Sequence, residues 1–297
     1  MKTKKEYIEQ LLNEKGILQI FAIDHRDVFT DSLGKSLGHP ATLHEIRCEK
    51  ERLMKLAAPY ISGYLIDPIS SIVNGHIAID LQGHSFVMGI ENSNYDIQKI
   101  DEAYLNPDVS VRDMKELGCH MVKLFVYYHP QMEFRKKILD IIMSVARDCE
   151  EEGLPFLLEP IIYGDKPYAQ KEHHSLLKET LHQLRDIPVT IYKLEFPGDI
   201  DTCSEEENIA FCQEISNLLD CPWIVLSSGV SPQVFEKQIM CAGKGQACGF
   251  AAGRSIWKDG ICGTKDDDKR IVEVMKRFQE TANTYCSSFW LKGDVEK

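Results

Sequence analysis

Three ionisable residues stand in the interior of largely apolar runs: Lys193 in VTIYKLEF (189–196), Lys123 in MVKLFVYY (121–128) and Glu159 in PFLLEPIIY (155–163). Charge is costly to bury among such neighbours. Alternation along an extended chain puts Ile191, Lys193 and Glu195 on one side and Tyr192, Leu194 and Phe196 on the other. The wholly apolar set suits a layer of helices, which turns Lys193 inward. Lys123 and Glu159 face inward by the same alternation.

Two lysines facing one cavity repel each other as ammonium ions, and low dielectric further favours a neutral amine. A neutral amine adds to a ketone carbonyl, and the iminium that forms draws electrons from a breaking C–C bond. Glu159, on the run between the two lysines, is placed to carry the protons such a reaction moves. The simpler reading is an ion-pair network in which Lys193 is matched by Glu195 or Glu159, and Lys123 by Glu159. Strand geometry alone leaves both open.

Other charged residues close the apolar runs: Asp24, Asp67, Glu91 and Arg254. The acids, with Glu159 and Glu195, admit a second enzymatic reading as Mg²⁺ ligands in a lyase or isomerase, which two lysines in the same cavity oppose. Ser227-Ser228-Gly229 and Gly253-Arg254 end the last two runs, where many barrels bind phosphate. Glycine lets the backbone approach an anion, serine hydroxyls donate, and arginine binds in a fork. His173, His174 and His182 match no metal spacing and read as surface residues of a helix.

Eight apolar runs must position these groups: 20–24, 63–67, 85–91, 121–128, 155–163, 189–196, 222–229 and 249–254. Near-continuous hydrophobic runs read as parallel strands buried on both faces. Between them, stretches such as FRKKILDIIMSVARDCEEEG repeat apolar residues at helical spacing, and Glu-Gly marks a stop. The pattern predicts a single (β/α)8 TIM barrel over residues 1–297, with an open doubly wound sheet as the alternative. No GxGxxG follows the first strand, so no dinucleotide site is expected. A short N-terminal helix is expected at about 3–15, and a long loop over the mouth at about 92–112.

The 297 residues are 43% hydrophobic and 27% charged, an ordinary globular balance, with a net charge of −12. No basic patch interleaved with aromatics marks a nucleic-acid surface. The start MKTKKEYIEQLLNEKG lacks the pattern of a signal peptide, and no run is long enough for a membrane span, so a cytoplasmic chain is expected. Its ten scattered cysteines then read as free thiols.

Six motifs in order resemble the class I tagatose-1,6-bisphosphate and sulfofructose-phosphate aldolases of the DeoC/LacD type. They are AIDHR (22–26), VKLFVYY (122–128), LEPIIYG (158–164), YKLEFP (192–197), LSSGV (226–230) and GFAAGRSIW (249–257). The resemblance implies a homo-oligomeric enzyme that uses no cofactor or metal and acts on a small phosphorylated ketose. It implies Lys193 as the Schiff-base lysine, Glu159 as the proton carrier, and Lys123 and Asp24 in support. Ser227, Ser228, Gly229, Gly253 and Arg254 match the positions that hold the phosphate of the dihydroxyacetone half, and His25 and Arg26 complete the substrate-binding set. Two departures concern the rest of the substrate: His25 stands where the family has glutamine, and Asn92 where it has lysine. They are the only support for a third reading, a phosphosugar-binding protein without turnover.

Overall fold

The computed structural model describes residues 2–92, 105–164 and 168–292. Its strands are β1 (Leu18–Ala22), β2 (Gly63–Ile66), β3 (Ile72–Val73), β4 (His76–Ile77), β5 (Ser85–Gly89), β6 (Met121–Tyr128), β7 (Phe156–Ile162), β8 (Ile191–Leu194), β9 (Trp223–Leu226) and β10 (Gly249–Ala252). All but β3 and β4 close a parallel barrel in the order β1-β10-β9-β8-β7-β6-β5-β2. The open-sheet alternative is thereby ruled out.

The helices are α1 (Lys4–Glu9), α2 (Asp27–Leu37), α3 (Leu43–Ala57), α4 (Pro68–Ser71), α5 (Val111–Glu116), α6 (Arg135–Glu152), α7 (Gln170–Leu184), α8 (Glu205–Leu218), α9 (Pro232–Lys244), α10 (Arg254–Trp257) and α11 (Lys265–Tyr285). Helix α6 shows why they dock: Ile138, Ile142, Val145, Ala146 and Cys149 form one buried stripe, and Gly153 ends the helix in the left-handed conformation at φ 69°. Helices α3, α8 and α11 begin in capping boxes, Thr42 with Glu45, Ser204 with Glu207 and Thr264 with Asp267. Among the described residues, no helix is long and apolar enough to cross a membrane. All ten cysteines are free.

Several boundaries differ from expectation. Helix α1 covers 4–9 rather than 3–15, because Ile8 and Leu11 turn into the barrel floor and Leu12 bridges to Leu18. Between β2 and β5 the crossover is the four-residue α4 and the β3–β4 hairpin, turned at Asn74 (φ 50°) and Gly75 (φ 75°). Most of the expected mouth loop, 93–104, lies outside the described residues, and its far end meets α5 at Val111.

Two cores result. Strand faces turned outward join the helices, and Tyr192, Leu194 and Phe196 are among them. Faces turned inward fill the lower barrel with Ile20, Leu65, Val87, Met121, Leu157, Ile191 and Ile224, closed below by Ile8, Leu11 and Phe289.

Candidate functional site

Met121, Leu157 and Ile191 belong to the inner core, so Lys123, Glu159 and Lys193, each two residues further on, also point inward. Lys123 is registered with Leu157, and Leu157 with Ile191. A level layer in an eight-stranded barrel climbs about one residue per strand against that register. Two strands on from Lys123 it therefore reaches Lys193.

Lys193 Nζ donates to Glu159 Oε1 at 2.6 Å. Lys123 Nζ donates to Glu91 Oε1 at 2.8 Å and Asp24 Oδ2 at 3.1 Å, and makes an ion-pair contact of 3.1 Å with Glu159 Oε2 without hydrogen-bond alignment. Both lysines and Glu159 are buried, at 3%, 6% and 6% exposure. Glu91 is fixed by accepting from the Phe125 amide at 3.2 Å.

These contacts correct the picture of two mutually repelling amines. Burial alone would lower the Lys123 pKa, but Glu159, Glu91 and Asp24 together raise it, so Lys123 is held as a cation. Burial likewise disfavours charge on Asp24 and Glu159, yet the lysines keep both carboxyls below their usual range. Burial, opposed by Asp24 and reinforced by Arg254, lowers the His25 imidazole to about 4.

Above this network opens a cavity of about 450 Å³. Asp24, Lys123, Glu159 and Lys193 form its charged floor, and His25, Arg26, Ser228 and Arg254 reach its walls. Arg254 Nη2 donates to the Ser228 carbonyl at 3.3 Å. Ser227, Gly229 and Gly253 do not line this cavity but shape its edge. A Cβ on Gly229 would lie 3.2 Å from Arg254 Nε, and one on Gly253 would lie 2.6 Å from His25 Cε1 and 2.7 Å from the Ala22 carbonyl oxygen. Ser228 and Gly229 both adopt positive φ, 48° and 81°. The Ser227–Gly229 segment is thus a loop past β9 rather than its end.

Arg26 is aimed partly away from the cavity: Nη1 donates to the Glu91 carbonyl at 2.8 Å, and Nε lies 3.9 Å from Asp67. The acids weighed as Mg²⁺ ligands are otherwise engaged. Asp24, Glu91 and Glu159 surround Lys123, Asp67 pairs with Lys50 at 2.6 Å, and Glu195 accepts from the Ile162 amide at 2.9 Å. An ammonium ion occupies the place a dication would need. Among the described residues, no His, Cys, Asp or Glu group is arranged to hold a metal.

One of the three histidines assigned to the surface is not there, and a second is only partly exposed. His174 is buried, its Nε2 3.1 Å from Glu214, and His173 reaches over the strand end to Glu195 at 3.3 Å; only His182 is exposed. Sequence reasoning also missed Phe125 and Tyr127 on the cavity wall, although the alternation that places Lys123 places them too. Burial raises the Tyr127 pKa, so its hydroxyl keeps its proton.

An eight-stranded parallel barrel with buried, paired lysine and carboxylate under an open mouth has the architecture of barrel enzymes that react at their strand ends. Residues 20–259 match the DeoC/LacD family aldolases, and the chain belongs to that family. Its reaction class is that of a carbon–carbon lyase. Tagatose 1,6-diphosphate aldolase 1 of Enterococcus faecalis (strain ATCC 700802 / V583) is 27% identical over 282 residues, covering 87% of this chain and 85% of that protein. Tagatose 1,6-diphosphate aldolase of Listeria monocytogenes serotype 4a (strain HCC23) is 28% identical over 298 residues, covering 90% and 86%. The solved structure of a Schiff base forming fructose-1,6-bisphosphate aldolase shares the fold, with a TM-score of 0.66 at 16% identity over 94% of this chain and 100% of that one.

Proposed function

We propose that the protein is a class I aldolase that cleaves a ketose 1-phosphate carrying an anionic group at C6. The products are dihydroxyacetone phosphate and a three-carbon aldehyde. The observation that carries this reading is the buried 2.6 Å contact between Lys193 and Glu159 at the floor of a cavity walled by Arg254 and Ser228.

Lys193 is the better nucleophile of the two lysines because it answers to one carboxylate and Lys123 to three. Passing its proton to Glu159 frees the Lys193 amine to add to the C2 carbonyl. Glu159 returns that proton to the departing hydroxyl, so water leaves and an iminium forms. The Glu159 carboxylate then takes the C4 hydroxyl proton as the C3–C4 bond breaks, the electron pair passing into an enamine. Lys123 stays charged throughout and holds Glu159 in its basic form between steps. In this reading Arg254 and Ser228, on the cavity wall, hold the C1 phosphate and so fix C2 over Lys193.

The C6 group is a phosphate, as in tagatose 1,6-bisphosphate, or a sulfonate, as in 6-deoxy-6-sulfofructose 1-phosphate. The tagatose-diphosphate names of the relatives support the first, and the LSSGV and AGRSIW motifs resemble the second branch. This reading takes the enzyme to be cytoplasmic, in keeping with its ten free thiols, and homo-oligomeric, in keeping with the family resemblance.

Borohydride reduction in the presence of dihydroxyacetone phosphate tests the mechanism. A stable adduct located on Lys193 by peptide mass spectrometry is expected, and its absence would sink the Schiff-base reading. Assaying the two ketose phosphates beside fructose 1,6-bisphosphate then identifies the distal group.

A further inference from the structure

His25 stands where the two halves of the site meet. Its ring lines the cavity, packs edge-on against Trp257 with centroids 5.2 Å apart, and closes against Gly253, where an added Cβ would lie 2.6 Å from Cε1. Nδ1 is buried without a hydrogen-bond partner, 3.6 Å from Asp24 Oδ1. Asp24 is joined through its other oxygen to Lys123, and so to Glu159 and Lys193. The charged groups facing the ring are Asp24 at the end of β1, Lys123 on β6, Lys193 on β8 and Arg254 at the start of α10. In the empty site the three cations and burial keep the ring neutral, against the single pull of Asp24.

An anion beside Arg254 reverses that balance. It offsets the largest of the repulsions on the ring and brings negative charge into the cavity that His25 and Arg254 both line. A unit charge a few ångströms away moves a half-buried group by on the order of two pKa units. The glutamine that the resembling family carries at this position can donate a hydrogen bond but cannot change its charge.

We propose that His25 is an anion-linked proton carrier, neutral in the empty site and taking one proton from solvent when a tetrahedral oxyanion settles beside Arg254. Charged, its Nδ1–H faces Asp24 and its Nε2–H faces the cavity. The unpartnered Nδ1 then gains the carboxylate that already waits 3.6 Å away. The proposal rests on the anion-binding role given above to Arg254 and Ser228.

Sulfate, a dianion that does not itself titrate near neutrality, is the probe. Calorimetric titration at pH 6 in two buffers of different ionisation enthalpy counts the protons taken up per sulfate bound. About half a proton is expected for the native protein and close to none for His25→Gln, which still binds sulfate but about twofold more weakly. Nitrogen-15 spectra of histidine-labelled native protein give the same answer without a variant: sulfate converts one ring from a neutral tautomer to the doubly protonated form. Binding without proton uptake, or equal uptake by His25→Gln, overturns the proposal while leaving the anion site intact. Failure of both proteins to bind sulfate overturns the anion site and the proposal with it.

Discussion

Glu159 and Lys193 each stand two residues beyond a registered pair, Leu157 and Ile191, on the neighbouring strands β7 and β8, and their side chains meet at 2.6 Å. The contact is therefore built from strand pairing rather than from a loop. A site on rigid strands holds reacting groups more closely than one on mobile segments.

Replacing the nucleophile tests that geometry most directly. Lys193→Met is expected to lower kcat by about ten-thousand-fold or more, the scale on which removal of a covalent catalytic group acts. A coupled assay for dihydroxyacetone phosphate measures it, and an unchanged circular dichroism spectrum shows that the fold persists.

Lys123→Met acts on stability as well. It leaves Asp24, Glu91 and Glu159 facing one another without their shared cation, and breaking a buried ion pair from one side costs about 3–5 kcal/mol. The sign with pH follows. In the native protein Lys123 depresses the Asp24 and Glu159 pKa values, so their contribution is present above the unfolded carboxylate value near 4 and fades as pH falls below it. In the variant the crowded acids gain by protonation instead. The difference in Tm between the two proteins should be large at pH 7 and shrink toward pH 4.

His25 moves stability in the same direction as the native carboxylates, over a higher pH window. Its folded pKa of about 4 lies below the ordinary 6.5, so between those values the unfolded chain binds the extra proton and stability falls as pH falls. His25→Gln removes this component. Urea unfolding followed from pH 7 to pH 4.5 should show a pH slope flatter by about one proton in the variant.

Gly253→Ala should injure binding and folding together. The new methyl meets the His25 ring at 2.6 Å and the Ala22 backbone carbonyl at 2.7 Å, so the ring is displaced and the backbone must shift as well. Overpacking of this kind costs about 1–3 kcal/mol. Displacing His25 is expected to raise KM for the ketose phosphate by roughly tenfold with a smaller effect on kcat, read from steady-state kinetics.

The strands were legible because each is buried on both faces and so reads as an unbroken apolar run. Their ends were less legible: Glu195 and Ser227 continue the side-chain pattern of β8 and β9 after pairing has stopped, and no side-chain signal marks that point. The β3–β4 hairpin does carry a local sign, Asn74-Gly75 between Val73 and His76, the pair suited to a tight hairpin turn. The carboxylate ring around Lys123 had none. Alternation predicts Glu159, but Asp24 and Glu91 reach the ammonium because barrel closure gathers the ends of β1 and β5 toward β6. Helical periodicity likewise could not show that His173, in the first turn of α7, leans back over the barrel to Glu195.

The lower barrel is stoppered by Ile8, Leu11 and Phe289 over a floor of aliphatic side chains. Lys193 therefore lies at the bottom of a cavity that the described residues close from below. Under the proposed chemistry both fragments leave on the side of the mouth. The aldehyde goes first, since its partner is still bonded to the lysine, and a slow aldehyde would delay every later step.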